Sequence, residues 1–298
     1  MTSGLTIEAI GKSFDGFTAL DEVSFSVAPG QKVALLGHNG AGKTTLMKLI
    51  LGLIRADRGR IDVLGAPPGA WAARANTAYL PENVAFHSAL TGREQLRLYL
   101  RLRRQPPAMA GELLERVGLG AAADRRIGTY SKGMRQKVGL AQALIGRPRL
   151  MILDEPTSGL DPVARREFYA ILDDLAAQGT AILLSSHALT ELEARTDRIV
   201  ILSAGKVVAN DTLTGLRASA GLPTRIRVAA RQGAADEVAA RLDGGRLNGV
   251  TVELICTSRD KLARLGDVAA LGPLIDDLDV VPPSLDDIYE HYSARAKT

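Results

Sequence analysis

The run Gly37-His38-Asn39-Gly40-Ala41-Gly42-Lys43-Thr44 packs three glycines, a cation and a hydroxyl into one turn. Glycines at this spacing let successive backbone N–H groups turn inward on an anion. A helix that starts where they end adds the positive end of its dipole. Lys43 then supplies a point charge for the β- and γ-phosphates of a nucleotide, and the Thr44 hydroxyl can ligate Mg²⁺. This is the P-loop pattern, and it demands a strand before it and a helix after it.

A second cluster lies downstream. Leu150-Met-Ile-Leu-Asp154-Glu155 puts two carboxylates at the end of an apolar run, where a parallel sheet presents its ligand edge. Asp154 is the expected Mg²⁺ partner through water, and Glu155 the expected base that polarises an attacking water. Between the two clusters stands Tyr130-Ser131-Lys132-Gly133-Met134. Ser131 reads as the cap of a helix; its hydroxyl, the Gly133 N–H and the helix N-terminus together make a second anion site. One nucleotide does not need two phosphate cradles on one chain, so two chains are expected to face each other.

The elements that must hold these groups are legible in the apolar pattern. Strands are expected at Leu5–Ile10, Val23–Val27, Lys32–Leu36, Arg60–Val63, Thr77–Leu80, Arg149–Leu153, Thr180–Ser186 and Arg198–Leu202. Thr44–Ile54 and Val163–Ala177 have helical spacing, and Arg/Leu/Ala-rich helical pattern fills about 88–147. The fold class is therefore α/β: a P-loop core with parallel strands and a helical insertion. Gly221 and Pro223 mark a boundary, giving a domain 1–220 and an appendage 221–298 in which strand and helix alternate.

Composition narrows the setting. With 46% apolar and 23% charged residues the chain is ordinary globular protein, long enough at 298 residues for two domains. No apolar run is long enough to span a membrane. The start, Met1–Ile10, carries Glu8 and no basic segment of a secretory leader. Cys256 is the only cysteine, which excludes an intrachain disulfide and fits a reducing compartment. The net charge of +4 is spread among interleaved acids, and aromatics are only 4%, so nucleic acid is not an expected partner.

Taken together, these motifs resemble the nucleotide-binding subunits of ABC transporters, over about residues 1–220. The resemblance implies ATP and Mg²⁺ as cofactors, ATP hydrolysis, an ATP-sandwich homodimer and an integral-membrane permease partner at the cytoplasmic face of the inner membrane. It assigns Gly37, His38, Asn39, Gly40, Ala41, Gly42, Lys43, Thr44 and Thr45 to the phosphates. Phe14 is assigned to the adenine, with an ordinary core phenylalanine as the alternative. Ser131, Lys132 and Gly133 fall to the partner's ATP, Asp161 to the loop joining the two sites, and His187 to sensing the γ-phosphate. Catalysis is thereby expected of Glu155, His187 and Lys43, and Mg²⁺ binding of Thr44, Glu82 and Asp154. Two positions depart from the family's habit: Tyr-Ser-Lys-Gly-Met replaces the commoner Leu-Ser-Gly-Gly-Gln, and Glu82 stands where Gln is usual.

Five narrower strings, Gly37-His-Asn-Gly40, Tyr79-Leu-Pro-Glu-Asn83, Tyr130-Ser-Lys-Gly-Met-Arg-Gln136, Gly221-Leu-Pro-Thr-Arg-Ile-Arg227 and Pro283-Ser-Leu-Asp-Asp-Ile-Tyr289 with Tyr292, together resemble the NosF-like branch. That branch serves copper-site maturation of nitrous-oxide reductase with a NosY-like permease and a NosD-like periplasmic protein. The alternative within the family is a drug or polysaccharide exporter ATPase. A soluble ABC protein of DNA repair or translation is the alternative of another class; such proteins usually carry two cassettes or a long coiled coil, and 298 residues hold neither. With one cysteine and scattered Met and His, direct copper binding is not expected.

Overall fold

The computed structural model describes residues 4–186, 189–246, 248–257 and 259–295. They form two compact units that divide between Asn210 and Asp211.

The first unit opens with a hairpin, β1 (Leu5–Phe14) and β2 (Phe17–Val27), closed by Asp15 and Gly16, both with positive φ as a tight hairpin turn needs. The two strands expected here are thus longer and joined. With β4 (Arg58–Val63) they make an antiparallel sheet of order β2-β1-β4. The second sheet is built on β3 (Lys32–Leu36), which leads into α1 (Lys43–Ile50). Its order is β5-β6-β7-β3-β8-β9, comprising β5 (Thr77–Leu80), β6 (Leu150–Leu153), β7 (Ala181–Ser185), β8 (Arg198–Ser203) and β9 (Lys206–Asp211). The pairs from β5 through β8 are parallel. These strands are short apolar runs because both faces are covered; all four residues of β6 and all five of β7 are buried. One apolar core, including Leu5, Val23, Leu35, Leu46, Ile152 and Leu183, joins the two sheets across α1.

The chain between β5 and β6 is the helical insertion. It contains α3 (Gly92–Leu102), α4 (Ala110–Arg116) and α5 (Lys132–Ala143). Thr91 and Glu94 form a reciprocal capping box at the start of α3, and Arg93 grips Asp124 through two hydrogen bonds of 2.7 and 3.0 Å. Short α2 (Trp71–Asn76) precedes β5, α6 (Pro162–Ala177) joins β6 to β7, and α7 (Leu189–Glu193) precedes β8.

The second unit begins with α8 (Leu213–Ala220). Then follow β10 (Thr224–Ala230), α9 (Ala235–Leu242), β11 (Gly245–Arg246), β12 (Thr251–Cys256), α10 (Lys261–Ala269), β13 (Ile275–Val281) and α11 (Leu285–Arg295). The sheet, of order β11-β12-β10-β13, is antiparallel throughout. Ile226, Val228, Val252 and Leu254 face a core shared with Val238 and Val268 of the helices. The break expected near 220–223 falls earlier, because α8 belongs with α11: the Arg217 guanidinium donates to the Pro283 carbonyl (2.8 Å), and Ser219 and Tyr292 share a 2.6 Å hydrogen bond. Among the described residues no helix is long and apolar enough to cross a membrane.

Candidate active site

The glycine loop follows β3 and opens α1. A β-carbon on Gly37 would lie 2.7 Å from the Leu202 carbonyl oxygen, and one on Gly42, whose φ is 107°, would lie 2.7 Å from that of Ala19. The loop therefore rests directly on β8 and β2, and only glycine fits both positions. Ala41 is fully buried beneath it, while His38, Asn39, Gly40 and Thr44 face solvent. The His38 Nδ1–H donates to the Asn39 carbonyl at 2.7 Å. The Lys43 ammonium folds back on the loop, donating to the carbonyls of Gly37 and, at 3.3 Å, of His38. Burial lowers its pKa, opposed in part by the negative charges of Glu155 and then Asp154.

These residues surround a cleft of about 340 Å³. Its lining includes Lys43, Thr44 and Thr45, the carboxylates of Glu82, Asp154 and Glu155, and the rings of Phe14 and Phe17. Thus the structure brings together the P-loop, the two carboxylates just after β6 and Glu82, drawn from separate parts of the sequence. Thr44, Glu82 and Asp154 offer hard oxygen donors around one space, the chemistry that suits Mg²⁺.

Phe14 shares its place with Phe17, its cross-strand partner at the hairpin tip. The Lys12 ammonium sits 5.1 Å from the centre of the Phe14 ring, while Phe17 is 66% exposed. Both rings are exposed, whereas the family resemblance assigns only Phe14 to the base.

Asp154 and Glu155 are linked by a residue outside the motifs assigned to the site. The Ser185 hydroxyl, at the end of β7, donates to Asp154 Oδ1 at 2.7 Å and accepts the Glu155 backbone N–H at 3.0 Å. The signal was present: register pairs Leu153 with Leu184, so the polar residue ending β7 must lie beside the one ending β6. Glu155 itself has φ +47°, a left-handed conformation costing a side-chain-bearing residue about 1 kcal/mol or more. His187, expected to sense the terminal phosphate, lies outside the described residues.

Ser131, Gly133 and Asp161 meet elsewhere, around a separate pocket of about 350 Å³ beside Leu160 and Met134. Ser131 caps α5 by accepting the Met134 N–H at 3.1 Å. Asp161 caps α6, one oxygen accepting the Val163 and Ala164 N–H groups at 2.9 Å. The Ala164 amide is the main cause of the lowered pKa of Asp161. Lys132 donates to the Ser158 hydroxyl at 2.8 Å, tying this loop to the one after Glu155 within the same chain. Tyr130 is buried, and its hydroxyl donates to the Ala122 carbonyl at 2.6 Å. No residue lines both the P-loop cleft and this pocket.

The daunorubicin resistance ATP-binding protein DrrA3 of Streptomyces coeruleorubidus is 36% identical over 304 residues, covering 97% of this chain and 95% of the relative. This chain belongs to the ABC transporter family. It is an ABC-type ATPase subunit, and the family's sequence profile matches residues 20–158, from β2 through the loop after Glu155. The Nod factor export ATP-binding protein I of Bradyrhizobium diazoefficiens is 40% identical over 215 residues, 70% of either chain. A solved ATP-binding subunit of an ABC transporter superposes with a TM-score of 0.67 at 36% identity, covering 72% of this chain and 92% of its own. A dimeric ATP-binding cassette bound to ADP and phosphate shares the fold at TM-score 0.65 and 21% identity, covering 70% of this chain and 98% of its own. In this ABC cassette Tyr130 is buried, with its hydroxyl on the Ala122 carbonyl.

Proposed function

We propose that this ABC ATPase works as a pair of identical chains closing on two ATP·Mg, and that the closing and reopening drive a membrane permease. Each nucleotide would be held by Gly37–Thr45 of one copy and by Ser131, Lys132 and Gly133 of the other. The observation that carries this reading is the separation of the two anion-binding elements into pockets without a common residue. A second chain completes each site.

Within it, Lys43 and the P-loop amides hold the phosphates, Thr44, Asp154 and Glu82 hold Mg²⁺, and Glu155 orients and deprotonates water. His187 is assigned to the γ-phosphate on its sequence position. Phosphoryl transfer needs positioning and charge more than a nucleophilic side chain, which is what this cleft contains. The test is Glu155→Gln. Removing a general base is expected to slow turnover by about 10²- to 10⁴-fold while leaving the phosphate cradle intact, so the variant should run as an ATP-dependent dimer in size-exclusion chromatography. A variant that stays monomeric with ATP and hydrolyses normally refutes both the pairing and the base.

For the cargo, the names of the relatives cited, daunorubicin resistance and Nod factor export, support an export-type permease partner at the cytoplasmic membrane face. The NosF-like reading rests on the strings at 37–40, 79–83, 130–136, 221–227 and 283–289 with Tyr292, and none of the relatives cited carries that role. Its test is direct: in a denitrifying host, Lys43→Ala should leave nitrous-oxide reductase exported without its copper–sulfur centre. A fully active reductase leaves the exporter reading alone standing.

A further inference from the structure

We propose that Ser185 is a positioning residue for hydrolysis: one buried hydroxyl sets the carboxylate of Asp154 and the backbone of Glu155 relative to each other. This rests on the roles given above to those two residues.

Ser185 has no exposed surface and Asp154 is only 9% exposed, so neither exchanges its partner for water. The direction of the two hydrogen bonds is fixed by chemistry. The Glu155 N–H can only donate, so the Ser185 oxygen accepts it at 3.0 Å and the hydroxyl proton points at Asp154 Oδ1, 2.7 Å away. Asp154 is thereby held through Oδ1, and the residue lines the cleft. Glu155 is the residue with φ +47°, a conformation that persists only where surroundings hold it, and its N–H is what Ser185 anchors. β7 thus reaches across to β6 and fixes both carboxylate-bearing residues from outside the cleft, touching neither nucleotide nor water. Outer residues that orient metal ligands commonly matter about 10- to 100-fold.

The experiment compares Ser185→Ala, Ser185→Thr and Ser185→Val in the full chain, with Glu155→Gln alongside. Readouts are steady-state hydrolysis as a function of Mg²⁺, and ATP binding in EDTA. Ser185→Ala cannot overpack the site; it is expected to lower kcat about tenfold and raise the half-activating Mg²⁺ several-fold. ATP affinity in EDTA should stay within about twofold, a split that general damage would not give. Thr and Val have nearly the same shape, so Thr should exceed Val by about tenfold if the hydroxyl is what matters. The proposal is overturned if Ser185→Ala keeps both kcat and Mg²⁺ dependence, if it loses ATP binding in EDTA, or if Thr and Val turn over equally. A Glu155→Gln chain that hydrolyses normally removes the reading beneath it; one that stops while Ser185→Ala is unaffected sinks the positioning role alone.

Discussion

Gly133 abuts Gly159: a β-carbon on Gly133 would lie 2.8 Å from the Gly159 carbonyl oxygen. Gly159 belongs to the loop after Glu155 and has φ +80°, and the Lys132 side chain covers its other side. The first turn of α5 and the loop after β6 are thus in backbone contact. Gly133→Ala is expected to force them apart, because backbone cannot yield as a flexible side chain does. ATP binding to the P-loop should survive, since that cleft shares nothing with this pocket, while hydrolysis should fall by about tenfold or more. Equal hydrolysis in variant and parent would show that the contact is dispensable.

Glu82 adds a negative charge to a cleft already lined by Asp154 and Glu155. Glu82→Gln keeps an oxygen donor and removes one repulsion from the phosphates, so the variant should stay active and bind ATP·Mg at least as tightly. A loss of activity of about tenfold would mean that the carboxylate itself is required.

Lys43 gives the pH dependence. Burial lowers its pKa from the ordinary lysine value of 10.5, so as pH rises it loses its proton before a surface lysine would. The two consequences have opposite sign. Below its folded pKa the buried charge opposes folding, so the nucleotide-free chain should gain stability as pH rises through that value. The cradle loses its cation over the same range, so ATP affinity should fall. Calorimetric titration at rising alkaline pH, up to the ordinary lysine value of 10.5, should show affinity weakening and proton uptake on binding before a surface lysine would titrate. Affinity flat across that range, with no uptake, would contradict the assignment.

Tyr130→Phe removes the hydroxyl that the Ala122 carbonyl accepts without changing the ring's shape. The expected cost is about 1 kcal/mol, seen as a melting point lower by about 2–4 °C, with P-loop nucleotide affinity unchanged. Gly92 leaves room for this hydroxyl, since a β-carbon there would lie 2.8 Å from it. An unchanged melting point would mean that the carbonyl finds another donor.

Elements set by strong local signals were legible in the sequence. β5 and β6 are apolar runs bounded by polar turns, and α6 carries Asp161 as cap and Pro162 as first residue. The alternation after 221 likewise matched its strands and helices closely. Short α2 and α7 gave too few turns for a period to show, and β9 is a half-exposed edge strand of mixed polarity. The unit boundary was misplaced because Gly221 and Pro223 end a helix rather than a domain; what assigns α8 is its contact with α11, far along the chain. In the site, motif spacing located the P-loop, Asp154 and Glu155. Ser185 depends on the register of β6 with β7, a relation between distant segments that no local spacing carries, and Phe17 on the two-residue turn that pairs it with Phe14.

The separation of the two pockets has a genetic consequence. With the face-to-face pairing proposed above, a chain damaged at Lys43 can join one damaged at Ser131. One composite site of that mixed pair then carries both lesions, and the other carries none. Two inactive alleles should therefore complement each other in part in a cell expressing both, to the activity of a pair with one intact site, which is also what either lesion leaves when its chain pairs with the wild type.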